Sequence, residues 1–139
     1  MNAESLRQWA LRHALPHLSQ MRNDVPGLRG AVLASDDGFA LAAAIDDTAP
    51  TAKLAAMAGA MYGLCAATAR EAGLDGCRDI IVDGDSGKVV VMSIPDGGVH
   101  HLVLLVLVDA QSAFGHLLLQ CRKCCVAIGE ELGQYARAA

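Results

Sequence analysis

Hydrophobic positions along the chain follow helical and strand-like spacings, and the longest helical pattern runs from Pro50 to Ala72. Ala, Leu and Met dominate this stretch, Pro50 lies where a first-turn proline is tolerated, and Gly73 follows at the position of a C-terminal cap. Successive residues are about 100° apart on a helix, which divides the stretch into two stripes. The bulky stripe comprises Leu54, Met57, Met61, Leu64, Cys65 and Thr68. The small stripe comprises Ala52, Ala56, Gly59, Gly63, Ala66 and Arg70.

Neither stripe is suited to water, because no charged residue lies between Lys53 and Arg70. A helix that is apolar all round is buried all round. We expect the bulky stripe to pack on a sheet and the small stripe to let another backbone approach closely, most simply the same helix of a second copy. The alternative is an alanine-rich helix that is buried entirely within one subunit.

Strand-like patterns lie on both sides of this helix. Before it, segments 30–35 and 39–45 are joined by Asp37-Gly38, a turn signal that predicts a β-hairpin. After it come three further candidate strands, at 77–82, 88–94 and 99–108. The last of these does not alternate from residue 103 onward, so we expect it to be central and covered on both faces.

Helical patterns occupy both ends of the chain. The N-terminal pattern is interrupted by Pro16, so we expect one piece to end near Leu15 and a second to begin at Pro16. Ser112 is a candidate N-cap for a last helix that runs to about Tyr135. The inner face of that helix is predicted to hold Leu117, Leu118, Cys121, Cys124, Cys125, Ile128 and Leu132.

The order α-β-β-α-β-β-β-α predicts the fold class. We expect an α/β (α+β) fold with a five-stranded antiparallel sheet and helices on both faces. The central helix would cover one face and the terminal helices the other. A chain of 139 residues fits one domain with a substantial core. We assign residues 1–15 to an N-terminal extension and residues 16–135 to a single domain.

Composition excludes several classes of function. A formal charge of −4 leaves no basic stripe for nucleic acid. The N-terminus lacks the pattern of a signal peptide, and the longest uncharged run, from Leu54 to Ala69, is shorter than a bilayer requires. We therefore predict a cytoplasmic protein without membrane insertion, and we expect its five cysteines to be reduced thiols.

Several stretches resemble catalytic or metal-binding motifs but lack the context that those motifs require. Gly84-Asp-Ser-Gly87 matches the nucleophile region of chymotrypsin-like proteases, yet the chain is too short for two barrels, so a hairpin turn is predicted. Gly87-Lys88 lacks the spacing of a phosphate-binding loop. The cluster Cys121, Cys124 and Cys125 lies within a helix on its apolar face, which predicts buried thiols and no zinc or redox site. His100 and His101 point to opposite faces of a strand. We expect no enzymatic activity, no cofactor and no metal.

The order of these segments resembles the Roadblock (dynein light chain) family. The resemblance is carried by the hairpin region 25–42, the small-residue helix from Leu54, the strands after Gly76, and segment 109–119. It spans about Pro16 to Leu132. The chain departs from the family in its longer N-terminal segment and in the cysteine cluster of the last helix.

The resemblance implies a non-catalytic α/β module with a profilin/Roadblock-like fold. Such modules form homodimers, or heterodimers with another Roadblock chain, by pairing central helices and joining edge strands. Bacterial members often accompany a small Ras-like GTPase, either as a scaffold or as an activating protein that positions the GTPase's own residues. Position within the family then implies a dimer interface at Ala52, Ala56, Gly59, Gly63, Ala66, Cys77, Asp79 and Ile81. Lys53, Tyr62 and Arg70 are candidate partner-binding residues.

Two functions remain open from the sequence. The favoured interpretation is a dimeric regulator that binds a small Ras-like GTPase and modulates its nucleotide cycle. The alternative is a dimerisation scaffold in a signalling or motor complex, without effect on GTP hydrolysis. An enzyme that uses its cysteines is a third and weaker interpretation.

Overall fold

The computed structural model describes residues 2–95 and 101–138. The helices are α1 (Ala3–Trp9), α2 (Leu15–Asp24), α3 (Thr51–Ala72) and α4 (Phe114–Ala138), and a π-helical turn, Ala10–Ala14, joins α1 to α2. The strands are β1 (Leu28–Ser35), β2 (Ala40–Ala44), β3 (Asp79–Asp83), β4 (Gly87–Ser93) and β5 (Leu102–Asp109). The turn predicted at 96–98, the first residues of the predicted last strand and His100 lie outside the described residues.

The strands form one antiparallel sheet in the order β2-β1-β5-β4-β3, which confirms the predicted five-stranded sheet. β5 lies at the centre, as the unbroken apolar run from residue 103 indicated. Its side chains alternate between two cores: Val103 and Leu105 are buried on one face, and Leu104 and Val106 on the other. β3 forms one edge of the sheet and β2 forms the other.

Helices cover both faces, and they are distributed as predicted. α1, α2 and α4 pack together on one face, where Leu18, Leu117 and Ile128 are fully buried. Among the described helices, α3 alone packs on the other face, through Ala55 and Ala58. We refer to these as the α4 side and the α3 side of the sheet.

The N-terminal segment belongs to the α4-side core. Leu6, Trp9 and Ala14 are buried there, so α1 and the π-helical turn contribute to the same core as the rest of the domain. The second α-helix begins at Leu15, one residue before the predicted start, but no break separates it from the first. Instead, the chain widens into a π-helical turn in which the Leu15 N–H donates to the Ala10 carbonyl. This shift in hydrogen bonding comes just before Pro16, which has no N–H to donate.

Several element boundaries differ from the predictions. α4 begins at Phe114, so Ser112 is not its N-cap. β3 begins at Asp79, two residues later than expected, because Asp75 and Gly76 have positive φ angles of 62° and 132° that interrupt the extended chain. Gly73 does end α3 in the left-handed conformation, as predicted.

Candidate functional site

The inward face of α3 lies between the two predicted stripes. Ala55, Ala58 and Ala69 are buried on the sheet side, although they belong to neither stripe. Because these side chains are small, α3 sits close to the sheet. The two stripes therefore form the flanks of the helix, and each flank has its own neighbour.

The small flank packs partly against the hairpin of its own chain. A Cβ atom on Gly59 would lie 2.9 Å from both the Asp36 carbonyl oxygen and the Gly38 nitrogen, and a Cβ atom on Gly38 would lie 3.1 Å from the Ala56 Cα. Gly38 has a φ of 93° and closes the β1–β2 turn. The close approach predicted for a second copy is thus made, at Gly59, by the β1–β2 turn of the same subunit. Gly59 is therefore buried within its own chain, and its predicted place in a dimer interface stays a prediction.

The rest of the small flank is more open. Ala52, Ala56 and Gly63 are exposed, Ala66 is half-buried, and a Cβ atom on Gly63 would meet nothing within 4 Å. Those four positions remain predicted contacts with a partner.

The bulky flank lies toward the edge strand β3 and is largely uncovered. Leu54 and Met61 pack against the α3-side core, which agrees with the prediction. Met57 and Leu64 do not: they are 56% and 71% exposed. The expectation that this whole stripe packs on the sheet is wrong, because Ala55 and Ala58 occupy the sheet-facing position instead.

The edge strand β3 presents different residues to the two sides of the sheet. Ile80 packs against the α3-side core. Asp79 and Ile81 are paired with Met92 and Val90, two residues of the α4-side core, so they lie on the α4 side. Asp79 is largely covered and accepts a hydrogen bond from Arg122 of α4 at 2.5 Å. The side chains of Asp79 and Ile81 are therefore on the opposite side of the sheet from α3. Their place in a dimer interface, as residues of the edge strand, stays a prediction.

A groove of about 660 Å³ runs between α3 and β3. Its lining includes Met61, Leu64, Leu74 and Ile80, and Leu74 is 66% exposed. We call the exposed apolar surface around this groove the α3–β3 face. It is defined by Met57, Met61, Leu64, Thr68, Leu74, Ile80 and Val82.

A disulfide joins the two elements at one end of this face. Cys65 of α3 is bonded to Cys77, which precedes β3, and their Cα atoms are 6.0 Å apart. The prediction of five reduced thiols is therefore wrong for this pair. The two residues are 12 positions apart, one on the helix and one in the loop beyond it. Only the packing of α3 across the end of β3 brings them within bonding reach.

The other three cysteines are buried thiols, as predicted. Cys121, Cys124 and Cys125 face the α4-side core. Burial raises the pKa of Cys121 to about 12 and the pKa of Cys124 to about 11, and it holds the pKa of Cys125 well above its ordinary value. All three thiols are protonated at neutral pH, which makes them poor nucleophiles and poor metal ligands.

Two further sequence features can be placed within residues 2–95 and 101–138: the side chains able to bind a metal and the Gly84–Gly87 motif. This part of the chain contains no group of three or more His, Cys, Asp or Glu side chains that could hold a metal ion. The Gly84–Gly87 motif is a tight turn between β3 and β4, closed by a hydrogen bond from the Gly84 N–H to the Gly87 carbonyl, as predicted. His101 is exposed.

The three candidate partner-binding residues do not form one patch within a subunit. Lys53 and Arg70 are exposed near opposite ends of α3, about 25 Å apart along the helix axis at 1.5 Å per residue. Tyr62 is half-buried and packs against the α3-side core. Any single partner that contacts both cations must therefore span most of the helix.

By length and composition alone, α3 is long and apolar enough to cross a membrane, which is weak evidence for a membrane span. In the fold, 22% of its most apolar window is buried. The core helix of a soluble domain meets the same criterion. Here Ala55 and Ala58 pack on the sheet, and Met61, Leu64 and Thr68 line the groove beside β3.

Comparison with known proteins agrees with this architecture. The sequence model of the Roadblock/LC7 domain matches residues 17–107, more than half of the chain. The chain belongs to the Roadblock/LC7 family. The region matched by the family model leaves out α4 and most of the N-terminal helical segment. The uncharacterized protein MJ0714 of Methanocaldococcus jannaschii is 28% identical over 93 residues, which cover 67% of this chain and 75% of that protein.

Solved Roadblock/LC7 structures share the fold. Myxococcus xanthus MglB superposes with a TM-score of 0.80 at 14% identity, over 96% of this chain and 94% of that one. The Roadblock/LC7 domain from Streptomyces avermitilis superposes with a TM-score of 0.76 at 23% identity, and the match covers 85% of this chain and 96% of that one. The gliding protein mglB from Thermus thermophilus superposes with a TM-score of 0.73 at 20% identity, and the match covers 100% of this chain and 95% of that one.

Two features of the α3–β3 face were not predicted from the sequence. The exposure of Met57 and Leu64 was not predicted. The helical spacing of the alanines at 55, 58 and 69 is the signal that could have indicated which side of α3 faces the sheet. The disulfide had no local signal, because Cys65 and Cys77 are separated by a helix end and a turn.

Proposed function

We propose that this Roadblock/LC7 protein is a non-catalytic, dimeric regulator that binds a small Ras-like GTPase in the cytoplasm and modulates its nucleotide cycle. The observation that carries the proposal is the open α3–β3 face, where exposed apolar side chains of the helix adjoin the edge strand of the sheet. Family membership supports it, since the family resemblance implies dimeric modules that, in bacteria, often accompany such a GTPase.

The physical argument for a dimer begins at β3. An edge strand presents unpaired N–H and C=O groups to solvent, and an apolar edge is a template for another strand. A second copy that places its own β3 antiparallel to the first would join the two sheets and bring the two α3 helices together. The contact would cover Met57 and Leu64, each worth about 1.5–3 kcal/mol on full burial.

The proposed GTPase contact uses the ends of the paired helices. Lys53 and Arg70 place positive charge at the two ends of each α3, and both remain at the rim when the middle of the helix is covered. A GTPase whose switch segments are acidic or apolar is complementary to such a rim. Tighter binding of one nucleotide state shifts the switch population by that difference in affinity. We propose that hydrolysis is accelerated by ordering the GTPase's own residues.

The second candidate is a dimerisation scaffold without effect on GTP hydrolysis. The observation that favours it is the separation of Lys53, Tyr62 and Arg70, which do not form one compact site in a subunit. Both candidates require the α3–β3 face, so its role in self-association is tested first.

Sedimentation equilibrium of Leu64→Asp against Leu119→Asp tests the dimer. Both substitutions place a charge on an exposed leucine, but Leu64 lies on the α3–β3 face and Leu119 is on α4. We expect Leu119→Asp to remain a dimer and Leu64→Asp to be a folded monomer, with self-association weakened by about a hundredfold or more. A well-folded, unaltered protein that is monomeric at tens of micromolar would contradict the proposal.

Binding to the cognate GTPase, loaded with GDP or with a non-hydrolysable GTP analogue, separates the two candidates. A preference for one state supports the regulator, and equal affinity leaves the scaffold. Charge reversal at Lys53 or Arg70 is expected to weaken binding while the dimer persists. If changing one arginine abolishes the rate effect but not binding, this chain donates an arginine to catalysis, and our account of the acceleration is wrong.

A further inference from the structure

We propose that Cys65 and Cys77 form a reversible thiol–disulfide site, which exchanges with low-molecular-weight disulfides and with dithiol reductants of the thioredoxin class. Its redox state sets the order of the segment that connects α3 to the edge strand β3. The site consists of a helix cysteine and a loop cysteine brought together at the end of the groove beside β3.

The five cysteines divide into two chemically different groups. Cys121, Cys124 and Cys125 are buried in the α4-side core. Cys65 and Cys77 are only half-buried, and both line the open groove. A thiol or disulfide reagent that enters the groove can therefore reach this pair without unfolding the domain. Selective exchange at two of the five cysteines follows from access alone.

The disulfide is the principal tether of the segment that it closes. The Leu74 N–H donates to the Ala69 carbonyl, and the Arg78 carbonyl accepts from Ser93. Between these anchors, residues 75–77 make no backbone hydrogen bond with the described parts of the chain. Asp75 and Gly76 also have positive φ angles, and Leu74 is exposed. Without the bond, little holds this stretch in one conformation.

The exchange balances with a disulfide as oxidant. The thiolate of one cysteine attacks a sulfur of oxidised glutathione, forming a mixed disulfide and releasing one glutathione thiolate, which takes up a proton. The thiolate of the second cysteine then attacks the protein-bound sulfur and displaces the second glutathione. Two protons and two electrons pass from the protein dithiol to the glutathione disulfide. A thioredoxin-class dithiol reverses the sequence.

The location of the pair connects this chemistry to self-association, and this part rests on the proposed function. Reduction frees the chain that enters β3, the strand proposed to pair with a second copy. The oxidised form presents β3 already ordered, so it loses less conformational entropy on pairing. We expect the oxidised protein to self-associate more tightly than the reduced protein.

Thiol counting by mass spectrometry in glutathione redox buffers tests the site. In oxidised glutathione, the folded protein should show three free thiols, all slow to alkylate until it is unfolded. In a dithiol reductant, two further thiols should become rapidly alkylated in the folded state, at Cys65 and Cys77. Hydrogen exchange of the amides at 74–80 should then accelerate by about tenfold or more, while β5 is unchanged.

Single variants keep the test independent of folding defects. Cys65→Ala and Cys77→Ala should each take up one glutathione as a mixed disulfide, whereas Cys124→Ala should retain the internal bond. Five free thiols in oxidised glutathione, or equal exchange at 74–80 in both redox states, would overturn the inference. Sedimentation of the same samples tests the proposed function separately: a monomer that still shows the two-thiol exchange contradicts the dimer and supports the redox site.

Discussion

The two sides of the sheet are covered in different ways. On the α4 side, three helices close over large aliphatic residues such as Leu18, Leu104 and Leu117, all fully buried. On the α3 side, one helix approaches through Ala55, Ala58 and Gly59, and its bulkier residues Met57 and Leu64 remain exposed.

The difference shows what small residues achieve at a helix–sheet contact. Alanine and glycine let α3 come close to the sheet and to the β1–β2 turn, but they bury little area. Large side chains then have no room beneath the helix, so they lie on its flanks. One side of the molecule is a closed core, and the other is a single helix that displays apolar surface. Three predictions test this contrast.

The largest effect is expected from shortening a leucine on each side. Leu104→Ala leaves a cavity in the closed core and should lower the free energy of unfolding by about 2–5 kcal/mol. Leu64→Ala removes an exposed side chain and should change it by less than about 0.5 kcal/mol in dilute protein. Urea unfolding measures both. A deficit for Leu64→Ala that grows with protein concentration would indicate burial between copies, and equal costs for both variants would contradict the contrast.

A smaller effect is expected from the two central glycines of α3. Gly59→Ala places a methyl group 2.9 Å from two backbone atoms of the β1–β2 turn, so it should destabilise the fold by about 1–3 kcal/mol despite the better helix propensity of alanine. Gly63→Ala meets nothing within 4 Å and should stabilise it by up to about 1 kcal/mol. Thermal unfolding distinguishes the two signs. A stabilised Gly59→Ala would mean that the turn does not approach the helix.

The smallest effect per side chain concerns the buried thiols of the closed side. In the unfolded chain they ionise near their ordinary pKa of 9.0, whereas burial raises the pKa of Cys124 to about 11 and that of Cys121 to about 12. Between these values the unfolded state binds fewer protons, so stability should fall as pH rises above about 9. At about pH 10, we expect each thiol to lower the free energy of unfolding by about 1 kcal/mol.

Denaturant titrations of the unaltered protein and of Cys124→Ala across this pH range check the effect. The variant lacks one of the three thiols, so its decline should be shallower. Identical slopes would show that the Cys124 thiol is not shielded from water in the folded protein.

Local patterns anticipated most of the elements. The alternation and turn residues of 30–45 predicted the hairpin, and the unbroken apolar run from residue 103 predicted the central strand. The helical spacing of apolar residues in the last helix predicted its buried face, including Cys121 and Cys125. These predictions were confirmed because the period of hydrophobic residues records how a single element meets the core.

The roles of the two stripes of α3 could not be read in the same way. Every face of this helix is apolar, so periodicity does not identify which face meets the sheet. The contact of Gly59 with the β1–β2 turn depends on where a separate hairpin ends. The positions of Asp79 and Ile81 depend on the register of β3 against β4, and a shift of one residue exchanges the two faces.

The amino-acid sequence by itself therefore determined the order of elements, the central strand, the buried thiols of α4 and the family resemblance, because each is encoded in the spacing of neighbouring residues. Only the tertiary structure decided which residues of α3 stay exposed, which side of the sheet each β3 residue faces, and that Cys65 meets Cys77 across 12 positions. Those features arise from contacts between separate elements of the fold, and no local period specifies them.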